Sequence, residues 1–209
     1  MKICIVDDHA LFRDGLRGLI EHRYPDAAVH EAATLDQALE AIHQAPDLDV
    51  VLLDLAIPGA EGLSALEAVR RADAAVPVAV VSATVDPRLA QRCLSAGAGG
   101  YITKAEETEE IVRGVEAVLE GELYMSPGLT DSAAQEPAWV DDAAARLPDL
   151  TPRQREILSR LRQGRSNKEI AHALNLSETT VKVHVTAILK ALGLDNRTQA
   201  ALLAEHVDL

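Results

Sequence analysis

Asp49-Val50-Val51-Leu52-Leu53-Asp54-Leu55-Ala56-Ile57-Pro58-Gly59 is an unbroken apolar run that ends on a carboxylate and then turns. An apolar run of this length, with Pro-Gly beyond it, reads as a strand from Asp49 to Leu55 buried on both faces. Strands of that kind belong to parallel sheets covered by helices. Working outward supports this. Lys2 to Val6 is a short strand that also ends on acid, Asp7-Asp8, and Phe12, Leu16, Leu19 and Ile20 then share one helical face. Val29 to Ala33 is a second strand, followed by Thr34-Leu-Asp-Gln37 with the spacing of a capping box. After Pro58-Gly59 come the helical positions Leu63, Leu66 and Val69, a fourth strand from Pro77 to Ser82, and a weaker helix from Arg88 to Ser95. Gly100 to Thr103 is a fifth strand, and Ile111, Val112, Val115, Val118 and Leu119 mark a last helix with glutamates near its positive N-terminal end. Five such units predict an α/β doubly wound, five-stranded parallel sheet over residues 1–120, in the order 2-1-3-4-5.

The remainder has a different character. Residues 121–148 contain three Pro, two Gly and scattered Ala and acid without a sustained period, and read as a mobile linker. Residues 149–209 predict a small all-α domain. Thr151-Pro-Arg-Gln154 is a helix start, Ser166-Asn-Lys-Glu169 is a capping box, and Asn175-Leu-Ser177 is a tight turn into a helix from Glu178 to Leu192 that stops at Gly193. A helix from Arg197 to Glu205 closes the chain.

The 209 residues are 48% hydrophobic and 25% charged, which excludes a chain disordered by composition. The longest apolar run, Ala74 to Val81, is broken by Pro77 and falls short of the roughly 18 residues that span a bilayer. Acid follows the first apolar burst, which argues against a secretory signal, and Cys4 and Cys93 fit neither a zinc site nor a disulfide framework. A reducing cytoplasm is the expectation. The net charge of −13 divides into −11 for residues 1–120, −4 for 121–148 and +2 for 149–209, so the two ends face different partners. With only five aromatic residues, stacking of single-stranded bases is a poor fit.

Asp7, Asp8, Asp54, Ser82 and Lys104 all fall at the carboxyl ends of expected strands one, three, four and five. In that strand order the first and third strands are neighbours at the switch point, where ligands bind, so the five side chains converge on one crevice. Carboxylates so close repel one another, and a hard divalent cation with oxygen ligands is the remedy; without a Cys or His cluster, Mg²⁺ is the best fit. A carboxylate facing a divalent cation and a lysine can accept a phosphoryl group, with Asp54 as nucleophile, Lys104 as second positive charge and Ser82 as a hydrogen-bond donor to a phosphate oxygen. His9 reads as a surface or capping residue. Taken singly, each of these acids could equally be a helix cap or a solvated loop residue.

In the helix from Glu178 to Leu192, Val181, Val185, Ile188 and Leu192 form an apolar stripe, with Thr179, Lys182, Val183, Thr186 and Lys190 on the opposite face. That outer face suits a DNA groove, where lysine reads guanine and a methyl group meets thymine. The preceding helix from Asn167 to Leu174 joins it through a three-residue turn, the spacing of a helix-turn-helix. An ordinary helical hairpin with a solvated outer face is the competing reading.

Ile5-Val-Asp-Asp-His9, Leu53-Asp-Leu-Ala-Ile-Pro-Gly59, Val81-Ser-Ala83 and Gly100-Tyr-Ile-Thr-Lys104 together resemble a response-regulator receiver domain. The resemblance implies Asp54 as phosphoacceptor, Asp8 as direct Mg²⁺ ligand, Asp7 reaching the metal through water, and the Ala56 carbonyl completing the protein ligands. It implies that Ser82 and Tyr101 couple phosphorylation to the face made by the fourth helix, fifth strand and fifth helix. Ala105 departs from the family, which often has proline after the lysine. Leu150-Thr-Pro-Arg-Gln-Arg-Glu156, Gly164-Arg-Ser-Asn-Lys-Glu-Ile-Ala171, Leu176-Ser-Glu-Thr-Thr-Val-Lys-Val-His184, Leu192-Gly193 and Asn196-Arg-Thr198 resemble the LuxR-type helix-turn-helix.

Together the two resemble a NarL/FixJ-type response regulator, a cytoplasmic transcription factor phosphorylated by a partner histidine kinase, dimeric when active and bound to promoter half-sites. The resemblance places Lys182, Val183 and Thr186 at base edges and Asn167, Lys168, Thr179, Thr180, His184 and Lys190 near phosphates. It also implies a receiver that covers the recognition helix until phosphorylated. Two alternatives stand beside it: an aspartate-nucleophile phosphohydrolase, disfavoured because Ala56 stands where that family has a second Asp, and a phosphorylation-independent DNA-binding or assembly protein.

Overall fold

A computed structural model describes residues 1–45, 47–60, 62–129, 143–194 and 197–207. The N-terminal domain alternates β1 (Lys2–Val6), α1 (Ala10–Arg23), β2 (Ala28–Ala32), α2 (Leu35–Gln44), β3 (Val50–Leu53), α3 (Leu63–Ala72), β4 (Val78–Ser82), α4 (Pro87–Ser95), β5 (Gly100–Thr103) and α5 (Thr108–Glu120). The sheet order is β2-β1-β3-β4-β5, all parallel, as the sequence predicts. It then gains a sixth strand, β6 (Tyr124–Met125), parallel to β5 at the edge.

The central strands have two inward faces, because successive side chains alternate. Cys4, Val6, Val51, Leu53, Val78 and Val80 pack toward α2, α3 and α4. Ile3, Ile5, Val50, Leu52, Ala79 and Val81 pack on the other side with Leu16 and Ile20 of α1 and Ile111, Val115 and Val118 of α5. This explains the continuous apolar runs: a strand covered on both faces has no solvated side on which to place polar residues. β3 ends at Leu53, a little short of the expected span, since the Asp54 side chain accepts the Ala56 N–H (3.1 Å) and bends the chain away.

Segment 121–148 was expected to be a mobile linker. Its middle, 130–142, lies outside the described residues, but both ends are structured. Tyr124–Met125 joins the sheet, and Ala143, Ala144 and Leu147 pack into the C-terminal core. A two-residue strand is too short to show a sequence period, and its pairing is decided by the edge it meets.

The C-terminal domain comprises α6 (Pro152–Arg162), α7 (Asn167–Leu174), α8 (Glu178–Leu192) and α9 (Arg197–His206). Both expected capping boxes form: Thr151 with Gln154, and Ser166 with Glu169. Asn175 takes the left-handed conformation (φ 53°) that ends α7, and Ser177 accepts the Thr180 N–H to start α8. Ile157, Leu158, Leu161, Ile170, Val181, Val185, Ile188 and Leu192 form the core. Gly164 follows α6 at φ 69°, and a Cβ there would lie 2.4 Å from the Glu120 carbonyl oxygen, so only glycine lets this turn approach the end of α5.

Candidate functional site

Of the five side chains expected to converge, Asp7, Asp8, Asp54 and Lys104 meet at the carboxyl end of the sheet, and Ser82 ends the neighbouring strand β4. Asp7 and Asp54 follow β1 and β3 and are buried, at 2% and 3% exposure. The two carboxylates are used alike. Asp7 Oδ1 accepts the His9 N–H (2.9 Å) and Asp54 Oδ1 the Ala56 N–H (3.1 Å), each anchoring the loop that follows. Their Oδ2 atoms both face Lys104 Nζ, at 2.6 Å each. Burial alone would lower the Lys104 pKa, but hydrogen bonds and attraction from Asp54 and Asp7 outweigh it and hold the ammonium above its ordinary value. The Phe12 ring lies 4.6 Å from Nζ and adds a cation–π contact.

One lysine does not balance three carboxylates. Ligand atoms of Asp7, Asp8, His9 and Asp54 lie within 4.8 Å of one another. Asp8 and His9 are both exposed, with His9 Nδ1 2.8 Å from Asp8 Oδ1. His9 is thus at the edge of the cluster, and it heads α1 without a side-chain capping bond. The donor set, hard oxygens with a surplus of negative charge, fits a divalent cation of the Mg²⁺ kind. Ser82 ends β4, buried, with its Oγ accepting the Thr84 N–H (3.2 Å). Tyr101 points inward, fully buried, and donates its hydroxyl to the Thr84 carbonyl (2.8 Å). Burial pushes its pKa up.

In the C-terminal domain α7, the turn and α8 form a helix-turn-helix. On α8, Val181, Val185, Ile188 and Leu192 are buried as expected, while Thr179, Val183, Thr186 and Lys190 are exposed. Val183 is 63% exposed, an isolated apolar side chain on an outer face. Lys168 is exposed; Asn167 and His184 are half-buried. Thr186 donates its hydroxyl back to the Lys182 carbonyl (3.0 Å), and Thr180 Oγ1 is 2.8 Å from Ser177 Oγ.

Residues 3–116 match the family described as "Response regulator receiver domain", and residues 148–204 match "Bacterial regulatory proteins, luxR family". The chain is 38% identical to the glycerol metabolism activator of Pseudomonas putida, over 99% of this chain and 96% of that protein. It is 35% identical to the nitrate/nitrite response regulator NarL of Escherichia coli K12, over 96% and 93%. A crystal structure of a LuxR-family two-component response regulator from Aurantimonas superposes with a TM-score of 0.57 at 36% identity, covering 61% of this chain and 91% of that one. The chain is a LuxR-type response regulator. Its family is one of DNA-binding transcriptional regulators rather than dedicated enzymes, which removes the phosphohydrolase alternative.

In this response regulator the receiver and the output domain are in contact, and Lys182 is the residue that shows it. Lys182, expected at base edges, forms an ion pair with Asp73 in the receiver, and its side chain is only 12% exposed. Ala74 and Ala75, which follow Asp73, pack on the apolar core of the output domain. Asp47, on the neighbouring loop, is also within reach of the Lys182 charge. The contact lies at the amino end of the sheet, opposite the Asp54 crevice. Four contributors escaped the sequence reading. Asp73 follows α3 in a loop and pairs with Lys182 of the output domain. Arg146, in the presumed linker, donates to the Leu192 carbonyl (3.4 Å) at the C-terminus of α8. Arg197 is buried, donates to the Arg165 carbonyl (2.8 Å), and has its pKa pushed down to about 10 by burial. Ser126 is buried, and its Oγ accepts the Thr103 N–H (2.9 Å). Arg197 lies in the Asn196-Arg-Thr198 stretch, but its contact, like those of the other three, is defined by a partner about 20 or more positions away.

Proposed function

We propose that Asp54 is the phosphoacceptor, loaded by a partner histidine kinase in the cytoplasm with Mg²⁺ present, and that loading controls dimerisation and promoter binding. The observation that carries this is the shared arrangement of Asp54, Asp7 and Lys104, with one carboxylate oxygen of Asp54 held 2.6 Å from the sheltered Lys104 ammonium. In the transfer an Asp54 oxygen forms the new P–O bond, the P–N bond to the kinase imidazole breaks, and the imidazole keeps the electron pair and takes a proton. Lys104 balances charge on the phosphoryl oxygens, and Ser82, at the end of β4, is placed to donate to one of them. Asp8 and Asp54, with the Ala56 carbonyl and Asp7 through water, would hold Mg²⁺, which supplies neutralisation of the developing charge. Three carboxylates clustered beside a single lysine is the feature that supports a metal there.

On the output side Lys182, Val183 and Thr186 would read base edges, with Asn167, Lys168, Thr179, Thr180, His184 and Lys190 near the backbone of a half-site. Lys182 cannot contact Asp73 and a base together, so the unphosphorylated contact and the DNA complex exclude one another. Residues up to 129 act as the receiver unit and residues from 143 as the output unit. No helix among the described residues is long and apolar enough to cross a membrane. The test is incubation with Mg²⁺ and a small labelled acyl phosphate, followed by gel-shift titration on a cognate promoter. Incorporation of acid-labile phosphate together with tighter binding is expected; tight binding unchanged by stoichiometric labelling would leave the receiver an assembly module only.

A further inference from the structure

The interdomain segment leaves α5 at Gly121 in a left-handed turn (φ 84°) and returns along the open edge of β5. Tyr124 N–H donates to the Gly99 carbonyl (3.1 Å) and Ser126 N–H to the Tyr101 carbonyl (2.9 Å). Ser126 is fully buried, and its Oγ accepts the Thr103 N–H (2.9 Å). Leu129 N–H closes the turn onto the Ser126 carbonyl (2.9 Å), and the Leu129 side chain is buried in the same core as Tyr101. The Tyr124 ring occupies space that Gly114 leaves: a Cβ there would lie 2.7 Å from Tyr124 Cε1. The segment is fitted to this edge by backbone, side chain and core together.

The edge it covers is the one that carries Lys104. Thr103 N–H is held by Ser126, and the next amide, Lys104 N–H, by the Ser82 carbonyl (2.8 Å). Tyr101 spans the same distance by another route, its hydroxyl on Thr84 beside Ser82 and its carbonyl on Ser126. Thr103, the residue before Lys104, and Tyr101, which reaches Thr84, are thus each one hydrogen bond away from Ser126 in the interdomain segment.

We propose that residues 124–129, latched by the Ser126 hydroxyl, are the element through which phosphorylation of Asp54 reaches the interdomain segment and loosens the hold of the receiver on the output domain. The proposal rests on the reading of Asp54 as phosphoacceptor. A phosphoryl on Asp54 extends farther than the carboxylate and carries more charge, so Lys104 Nζ and the Ser82 hydroxyl must move to meet it. The backbone of 103–104 moves with them. A two-residue strand held by few bonds is the part of the sheet least able to follow and has the lowest cost of opening. The two states differ in the Thr103–Ser126 bond, which gives the phosphoryl group a differential interaction on which to act.

Hydrogen exchange of the full chain with Mg²⁺, with and without beryllofluoride as a phosphoryl mimic, tests this. We expect beryllofluoride to alter exchange at 54–60 and 82–86 and to raise exchange of 124–129 by about tenfold. Asp54→Asn should show neither change. Ser126→Ala should exchange rapidly at 124–129 without the mimic and should bind a promoter fragment several-fold more tightly than the unphosphorylated wild type. Changes at 54–60 with 124–129 fully protected would overturn the latch and leave the phosphoacceptor reading intact. No change anywhere in the wild type would overturn both.

Discussion

Two lysines of this protein are equally sheltered and do opposite work. Lys104 and Lys182 each keep 12% of the side chain exposed, and each is paired with aspartate. Lys104 sits between two carboxylates on adjacent strands of one sheet, with an aromatic ring beside it. Its partners are fixed by the β1–β3 ladder, so they cannot separate without breaking the sheet. Lys182 meets Asp73 across a boundary between two domains, each with its own core. Opening that boundary returns both charges to water. Removing one member of a buried pair costs about 3–5 kcal/mol because the other charge is left unpaired, whereas an ion pair that can resolvate contributes about 0–1 kcal/mol. One pair is therefore suited to hold a reactive geometry, and the other to be exchanged for a DNA contact.

The sharpest way to break the comparison is at Asp54. Asp54→Asn should abolish acid-labile phosphate incorporation, since an amide is not a nucleophile. Stoichiometric labelling of that variant would move the acceptor elsewhere. Next in size is Lys104→Met, which leaves Asp7 and Asp54 buried without their ammonium. Chemical denaturation at pH 7 should register a loss of up to about 3–5 kcal/mol, smaller to the extent that the acids take up protons or metal. The Lys104 pKa is raised in the folded state, so its contribution is present below the ordinary lysine value near about 10.4 and fades as pH rises through the folded value. The gap between wild type and variant should hold from pH 7 to 9 and shrink in stronger alkali; a gap that disappears already at pH 8 would contradict the assignment.

Lys182→Ala in a 143–209 fragment should weaken specific DNA binding by about 1–3 kcal/mol and relax preference at one base pair. Equal loss on all sequences would make Lys182 a phosphate contact. Asp73→Ala in the full chain should act in the other direction, tightening operator binding without phosphorylation by about 0–1 kcal/mol, with the gain shrinking as salt rises. Arg146→Ala is read in stability instead of binding. Loss of one hydrogen bond at the end of α8 should lower the stability of the output domain by about 0.5–1.5 kcal/mol, and a fragment starting at 149 should melt below one starting at 143.

Most of the crevice was legible because its residues sit at strand ends. Once the apolar runs Lys2–Val6 and Val50–Leu53 are recognised as neighbours, the acids that follow them must meet. The capping boxes at Thr151 and Ser166 and the turn at Asn175 were legible for the same kind of reason, since a helix start involves residues only three apart. The role of His9 was less so: its place beside Asp8 depends on how α1 leaves β1.

The chain order of apolar runs, acids and caps determined two domains, a parallel sheet, a crevice at its carboxyl end and a helix-turn-helix, because each of these follows from period and short spacing. Only the tertiary structure decided that Lys182 faces Asp73, that Arg146 closes α8, and that Ser126 brings a sixth strand onto β5. Those contacts join residues 109, 46 and 23 positions apart, and no local propensity distinguishes such a loop acid, linker arginine or buried serine until the surfaces they belong to have been packed together.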